Sequence, residues 1–357
     1  MTRLQKYSLA VSLLALPAWF LVDFFVSQHT PIGKSGSSTG VNTVKAGTSR
    51  NEPKVHVHRK EATKISAGVK YAQMLSNPPV LPASRFSDYL NHDPSNPNAW
   101  RAVIDLTWDE QTLSDALSRF PNDPALRLRA ILMAKSPEER SAAAADYAQR
   151  FPNESLGSYL LASSHLHAGR HTDALNEFKG GIHKSPPVIL SKSDILNRRA
   201  ALESVGFSSV EGGVAASRTK FDAEAFSSIV DIGMKLMSAD DIPSDVRNEC
   251  GASFSEHLAI AGNKTVANAM FTAKFQDNFL SGLPPDAEYG ESQMTIAQKS
   301  QQIKSSIAEL ANIVENTGTL WTTATEQEAS LWANTVLAEG EQVAYERWIA
   351  ARRRTQQ

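Results

Sequence analysis

The sequence predicts an all-α chain: an array of antiparallel helix hairpins, an α-solenoid, preceded by a transmembrane helix and a flexible linker. Three observations predict it. Past about residue 70, apolar residues recur at helical spacing almost throughout, with no run of alternating β-branched residues to mark a strand. Proline and glycine punctuate that region at intervals suited to short helices and tight turns. The first residues carry one long apolar run, followed by a stretch rich in Gly, Ser, Thr and Lys. The expected parts are an anchor at 1–27, a linker at 28–70, helical repeats at 71–190, and further degenerate hairpins with a C-terminal capping helix at 191–357.

The apolar run from Tyr7 to Val26 reads YSLAVSLLALPAWFLVDFFV. At about 1.5 Å per residue it spans about the 30 Å of a bilayer core. Pro17 and Asp23 interrupt it, and Asp23 lies near one end, where a carboxylate reaches headgroup water at modest cost. Trp19, Phe24 and Phe25 suit the interface. Arg3 and Lys6 precede the run with no acid, so the positive-inside rule keeps the N-terminus cytoplasmic and exports the body to the periplasmic or extracytoplasmic side. The expectation is a single-pass protein of the cell membrane. A cleaved signal peptide is the competing reading, although the apolar region is long for one and Val26-Ser27-Gln28-His29 makes a poor cleavage site.

The linker contains few large apolar residues to pack. It carries Lys34, Lys45, Arg50, Lys54, Arg59, Lys60 and Lys64 against Glu52 and Glu61, a balance that suits either plain solvation or contact with anionic headgroups. Gly33-Lys34-Ser35 is not a phosphate loop, because Gln28 stands where the first glycine belongs and no strand precedes it.

The clearest repeat unit runs from Ser155 to Pro186. Leu161 and Ala162 form a large–small pair in its first helix, Gly169 takes the turn, Ala174 and Phe178 supply an A-x3-F step in its second, and Pro186 closes it. Small residues let paired helices approach, and Phe178 fills the seam to the next hairpin. These positions resemble a tetratricopeptide repeat (TPR), a 34-residue helix–turn–helix unit. Departures are Ser158 for a bulky aromatic, His165 for Tyr and Gly181 for Ala. Pro152 and Pro186 stand 34 positions apart, matching the repeat length. Asn96-Pro97-Asn98-Ala99-Trp100 opens an upstream unit, and Phe120-Pro121-Asn122 and Phe151-Pro152-Asn153 are near-identical closures. Fainter echoes follow at Gly262, Ala267 and Phe271, and at Leu331, Trp332, Ala344, Trp348 and Ala351. A compact helical bundle would also generate such spacings.

In the C-terminal half, Phe226, Ile229, Val230, Met234 and Met237 form one apolar helical stripe, and Ile296, Ile303, Ile307, Leu310 and Val314 another. Thr325 and Glu328 fit a capping box opening a late helix, and Arg352, Arg353 and Arg354 suit the negative end of the last one.

The chain has 357 residues, 41% hydrophobic and 21% charged, as a folded protein does; its net charge of -2 gives no global attraction to nucleic acid. Cys250 is the single cysteine, which forbids an intrachain disulfide and reads as a small buried hydrophobe. His165, His167, His171 and His183 lack the acidic or cysteine partners of a metal set. H-E-x-x-H, G-x-S-x-G, C-x-x-C and G-x-G-x-x-G are all missing, so the expectation is no catalytic, metal or cofactor site. The expected role is a membrane-anchored scaffold for a protein or peptide partner. The TPR resemblance implies a concave groove lined by first-helix side chains, which nominates Asn98, Arg101, Tyr159, Ser163 and His167. Two alternatives stand beside it: a membrane-tethered envelope hydrolase with a composite site, and a cleaved, exported binding protein.

Overall fold

A computed structural model describes residues 66–187, 191–237, 244–262, 265–289 and 294–355. The anchor, and the linker up to residue 65, lie outside these residues. Among the described residues no helix is long and apolar enough to cross a membrane. They form sixteen α-helices, one 3-10 turn and two isolated bridges, with no strand.

The first helix, α1 (Ala67–Ser76), begins inside the segment assigned to the linker, capped by Ser66. After the 3-10 turn Ala83–Phe86 and short α2 (Ser87–His92) come three hairpins: α3 (Pro97–Thr107) with α4 (Glu110–Arg119), α5 (Pro124–Met133) with α6 (Pro137–Arg150), and α7 (Ser155–His167) with α8 (His171–Ile182). Their boundaries are written in local chemistry. Asn96, Asp123 and Ser136 each accept a hydrogen bond from the opening turn, with proline at the first helical position where no donor is missed. Phe120 and Phe151 close α4 and α6 alike, returning their N–H groups to the Ala116 and Tyr147 carbonyls. Gly169 turns α7 into α8 at φ 71°, a left-handed conformation that costs glycine nothing.

Each of these six helices packs on its chain neighbours. The seam predicted between α7 and α8 is present: Ala162, Ala174 and Phe178 are fully buried, while Leu161 and Pro186 are half-buried. The departures from the repeat pattern are also explained. A Cβ on Gly181 would stand 2.7 Å from the Tyr159 ring, so the aromatic at 159 occupies the space an alanine would need. Ser158 is buried beneath it and accepts a hydrogen bond from Lys184.

The remaining helices do not extend the array outward; they fold back over it. Helix α9 (Lys192–Ser204) packs on α3 and on α10 (Ser209–Ala216), and α11 (Lys220–Met237) lies on α5 and α7. Helix α12 (Ser244–Gly262) touches α8 and α11, and α13 (Val266–Leu280) continues onto α14 (Ile296–Thr322). Helices α15 (Glu326–Glu339) and α16 (Glu341–Thr355) pair around Gly340 at φ 98°. Helix α15 reaches α9, α10 and α1, so the helices close on themselves. Helices before and after residues 188–190 therefore pack on one another.

Of the downstream echoes, Ala267 and Phe271 are only half-buried while Ala273 and Phe275 sit in the core. Leu331 is 66% exposed beside buried Trp332. Helix α13 buries its stripe mainly against α12 and α14, and α15 buries its own against α16 and α10. The capping box at Thr325 and Glu328 forms as expected.

Candidate functional site

The first helices of the three hairpins, α3, α5 and α7, would line a concave groove if the array stood alone. Here α9 covers α3, and α11 covers α5 and α7. Helix α3 is accordingly buried on nearly every side, from Ala99 through Thr107 except Arg101.

Four charged side chains meet at the centre of this covered face. The Arg129 guanidinium on α5 donates through Nε and Nη2 to the two oxygens of Asp105 on α3, both at 2.6 Å. Arg198 on α9 donates to Asp105 at 2.8 and 2.6 Å and to Asp222 on α11 at 2.7 and 2.9 Å. Thr219 adds its N–H and hydroxyl to Asp222. Arg129 also donates to the Ala125 carbonyl and lies 4.2 Å from the centre of the Phe221 ring. Arg198 has 0% of its side chain exposed and Asp105 1%, so the cluster is dry. Burial opposes the charge on Arg198, but Asp105 and Asp222 outweigh it and hold the guanidinium protonated beyond its usual range. Each guanidinium is held by carboxylate oxygens, and a third carboxylate, Asp194 on α9, lies close enough to act on both. The cluster joins four helices and presents no open coordination position.

A second buried polar contact ties α7 to α12. The Tyr159 hydroxyl lies 2.6 Å from His257 Nδ1. Burial pushes the phenol well above its ordinary range and holds the imidazole below its own, so two neutral groups share this hydrogen bond. Phe178 and Phe254 pack on Tyr159 with ring centroids 5.3 and 5.2 Å away.

The nominated groove residues divide accordingly. Tyr159 is fully buried and lines no open groove, because α11 and α12 cover its helix. Arg101 is half-buried, ion-paired with Asp123 at the start of α5 and hydrogen-bonded to the Asn98 amide oxygen at 3.0 Å. Both Asn98 and Arg101 therefore hold the first hairpin to the second. Ser163 is half-buried and His167 exposed, with His167 Nδ1 2.7 Å from the Ser163 carbonyl.

His167 belongs to the edge where each first helix turns into its second. That edge also carries Trp108, Lys135, Arg170 and His171. Trp108 adopts φ 51°, unusual for a bulky residue, and Lys135 reaches Glu110 across adjacent hairpins at 2.8 Å. His165 Nδ1 accepts from Arg170. Among the described residues, no group of three or more His, Cys, Asp and Glu side chains is placed to hold a metal.

Sequence reasoning passed over Asp105, Arg129, Arg198, Asp222 and His257. A signal was there: a charge inside an apolar helical segment, as at Asp105 in AVIDLT or Arg129 in LRLRAILM, has to find a partner or water. Comparison with protein-family models, with curated proteins and with solved structures finds no match.

Proposed function

We propose that this chain is a membrane-anchored scaffold of TPR-like hairpins that holds a protein partner on the non-cytoplasmic side of the membrane. The observation that carries the reading is how the side chains of the first helices and of the turns after them are shared out. Those facing inward, Asp105, Arg129 and Tyr159, are consumed in holding the body together. Those at the turn edge, His167 with Lys135, Arg170 and His171, face solvent on rigid hairpins. A body closed in this way offers a partner a fixed surface at little ordering cost. The TPR-like character is supported by the buried Ala162–Ala174–Phe178 seam and the left-handed turn at Gly169. The apolar run from Tyr7 to Val26 and the basic residues Arg3 and Lys6 before it support the anchor and its orientation.

A photo-crosslinking residue placed at His167 or Lys135 of the full chain in its native membrane tests this. The expected result is a discrete protein adduct at both positions, absent from a control at exposed Ser305 on α14. Equal labelling at all three positions would remove the turn edge as the binding surface.

A further inference from the structure

The described chain begins and ends at one corner of the body. Gly68, in the first turn of α1, is pressed against the end of α14: a Cβ there would overlap the Trp321 carbonyl oxygen and stand 2.9 Å from the Ala324 nitrogen. The last turn of α16 reaches the same place. Arg352 donates to the Thr323 hydroxyl at 2.9 Å and carbonyl at 3.1 Å, and to Glu328 at 2.6 Å. The aromatic core beneath holds the three helices in place, with Trp321 4.8 Å from Trp348 and 6.5 Å from Tyr71 by ring centroids. The first turn of α1 and the last turn of α16 thus meet at the end of α14, and Arg353 and Arg354 stand in that last turn.

Arg352 is committed to Glu328, but Arg353 and Arg354 are exposed, and the α14–α15 corner offers the exposed carboxylate of Glu326 against them. Immediately upstream of Ser66 the sequence adds Arg59, Lys60 and Lys64 against Glu61. Basic residues are therefore concentrated in the sequence just before α1 and in the last turn of α16, although the chain as a whole carries a net charge of -2.

We propose that this corner is the membrane-facing pole: it rests on anionic phospholipid headgroups through Arg353 and Arg354. The body is thereby oriented by contact as well as by its tether. This inference rests on the anchored reading given above. Each basic residue at an anionic surface contributes attraction that falls off within a Debye length, so reversing both arginines lowers the docked population by about thirty-fold or more.

The test uses the full chain reconstituted into vesicles of phosphatidylcholine alone or with phosphatidylserine. A fluorophore is attached at Ala351→Cys, beside the arginines, or at Ser114→Cys on α4, both exposed positions, and quenching by headgroup spin-labelled lipid is measured. Cys250 is fully buried and stays unlabelled in the folded chain. Quenching at position 351 should be strong with phosphatidylserine, weak without it, and lost in R353E/R354E, with position 114 weakly quenched throughout. Equal quenching at 351 and 114, or quenching at 351 that ignores both lipid charge and charge reversal, overturns the proposal and leaves the anchor standing. A chain that fails to float with either vesicle removes the anchor, and the proposal falls with it.

Discussion

Arg198 is the residue on which the closed body turns, and the geometry ranks the cost of losing it. Arg198→Met deletes four hydrogen bonds, two to Asp105 and two to Asp222. The two carboxylates are not left equally placed. Asp105 keeps both contacts with Arg129, whereas Asp222 keeps only the Thr219 N–H and hydroxyl. A buried carboxylate stripped of its cation costs about 3–5 kcal/mol, so that is the expected loss for Arg198→Met. Arg129→Met leaves Arg198 touching both carboxylates and should cost roughly half as much. Adding Asp222→Asn to Arg198→Met removes the orphaned charge while keeping the Thr219 contact, and about 2 kcal/mol should return.

Urea unfolding of the purified chain, followed by circular dichroism, reads these differences. Hydrogen exchange in α9 and α11 places the loss, since a chain of this size need not unfold in one step. If Arg198→Met lies within about 1 kcal/mol of the unmodified chain, or costs less than Arg129→Met, the cluster does not hold α9 and α11 over the first helices.

Three further expectations follow from single sites. Gly68→Ala forces a methyl into the Trp321 and Ala324 backbone, and should cost about 1–3 kcal/mol with α1 becoming protease-sensitive before the rest of the chain; unchanged cleavage would show that α1 is not seated as described. Phe178→Ala empties a fully buried site between Tyr159 and Phe254 and should lower stability by about 3–5 kcal/mol in thermal or urea unfolding, whereas a loss under about 1 kcal/mol would deny the seam its packing role. Burial holds His257 below the ordinary 6.5, so the unfolded chain takes up a proton before the folded one: its contribution is complete above 6.5 and declines as the pH falls through that value toward the folded one. His257→Gln should flatten the stability profile near pH 6, and a slope identical to the unmodified chain would assign the acid sensitivity elsewhere.

The parts of the fold legible in the sequence are those fixed by chemistry within a few residues. Gly169 had to be a turn because the chain needs a left-handed residue between two apolar helices, and it is one. Phe120 and Phe151 close their helices identically because the same short motif meets the same cap. Thr325 and Glu328 cap each other three positions apart. Facing was another matter. Every residue from Ser155 to Leu160 is buried, so no apolar period distinguishes one side of α7 from the other, and Tyr159 lies in the core. The covering helices were illegible for a related reason: an apolar stripe on α9 or α11 announces that something packs there but not what. Arg198 and its partner Asp105 are 93 positions apart, and no local pattern joins them.

The ionic cluster sits within an otherwise apolar junction, and that has a consequence for uniqueness. An apolar seam between α9, α11 and the first helices would tolerate sliding, because one leucine packs on another nearly as well a turn away. Sliding α9 by one turn, about 5.4 Å, would pull Arg198 out of reach of both carboxylates, leaving the Asp105–Arg129 pair but burying Asp222 without a cation. The desolvation cost that makes such a cluster a poor source of stability is therefore what makes the displaced packings prohibitive. Asp105 and Arg129 stand 24 positions apart, as do Arg198 and Asp222, so each half of the chain brings one acid and one base. Joined in the observed alignment each acid meets a base, and in any neighbouring alignment one does not. The cluster selects a single closed arrangement, and with it the outward position of His167 and the corner where α1 meets α16.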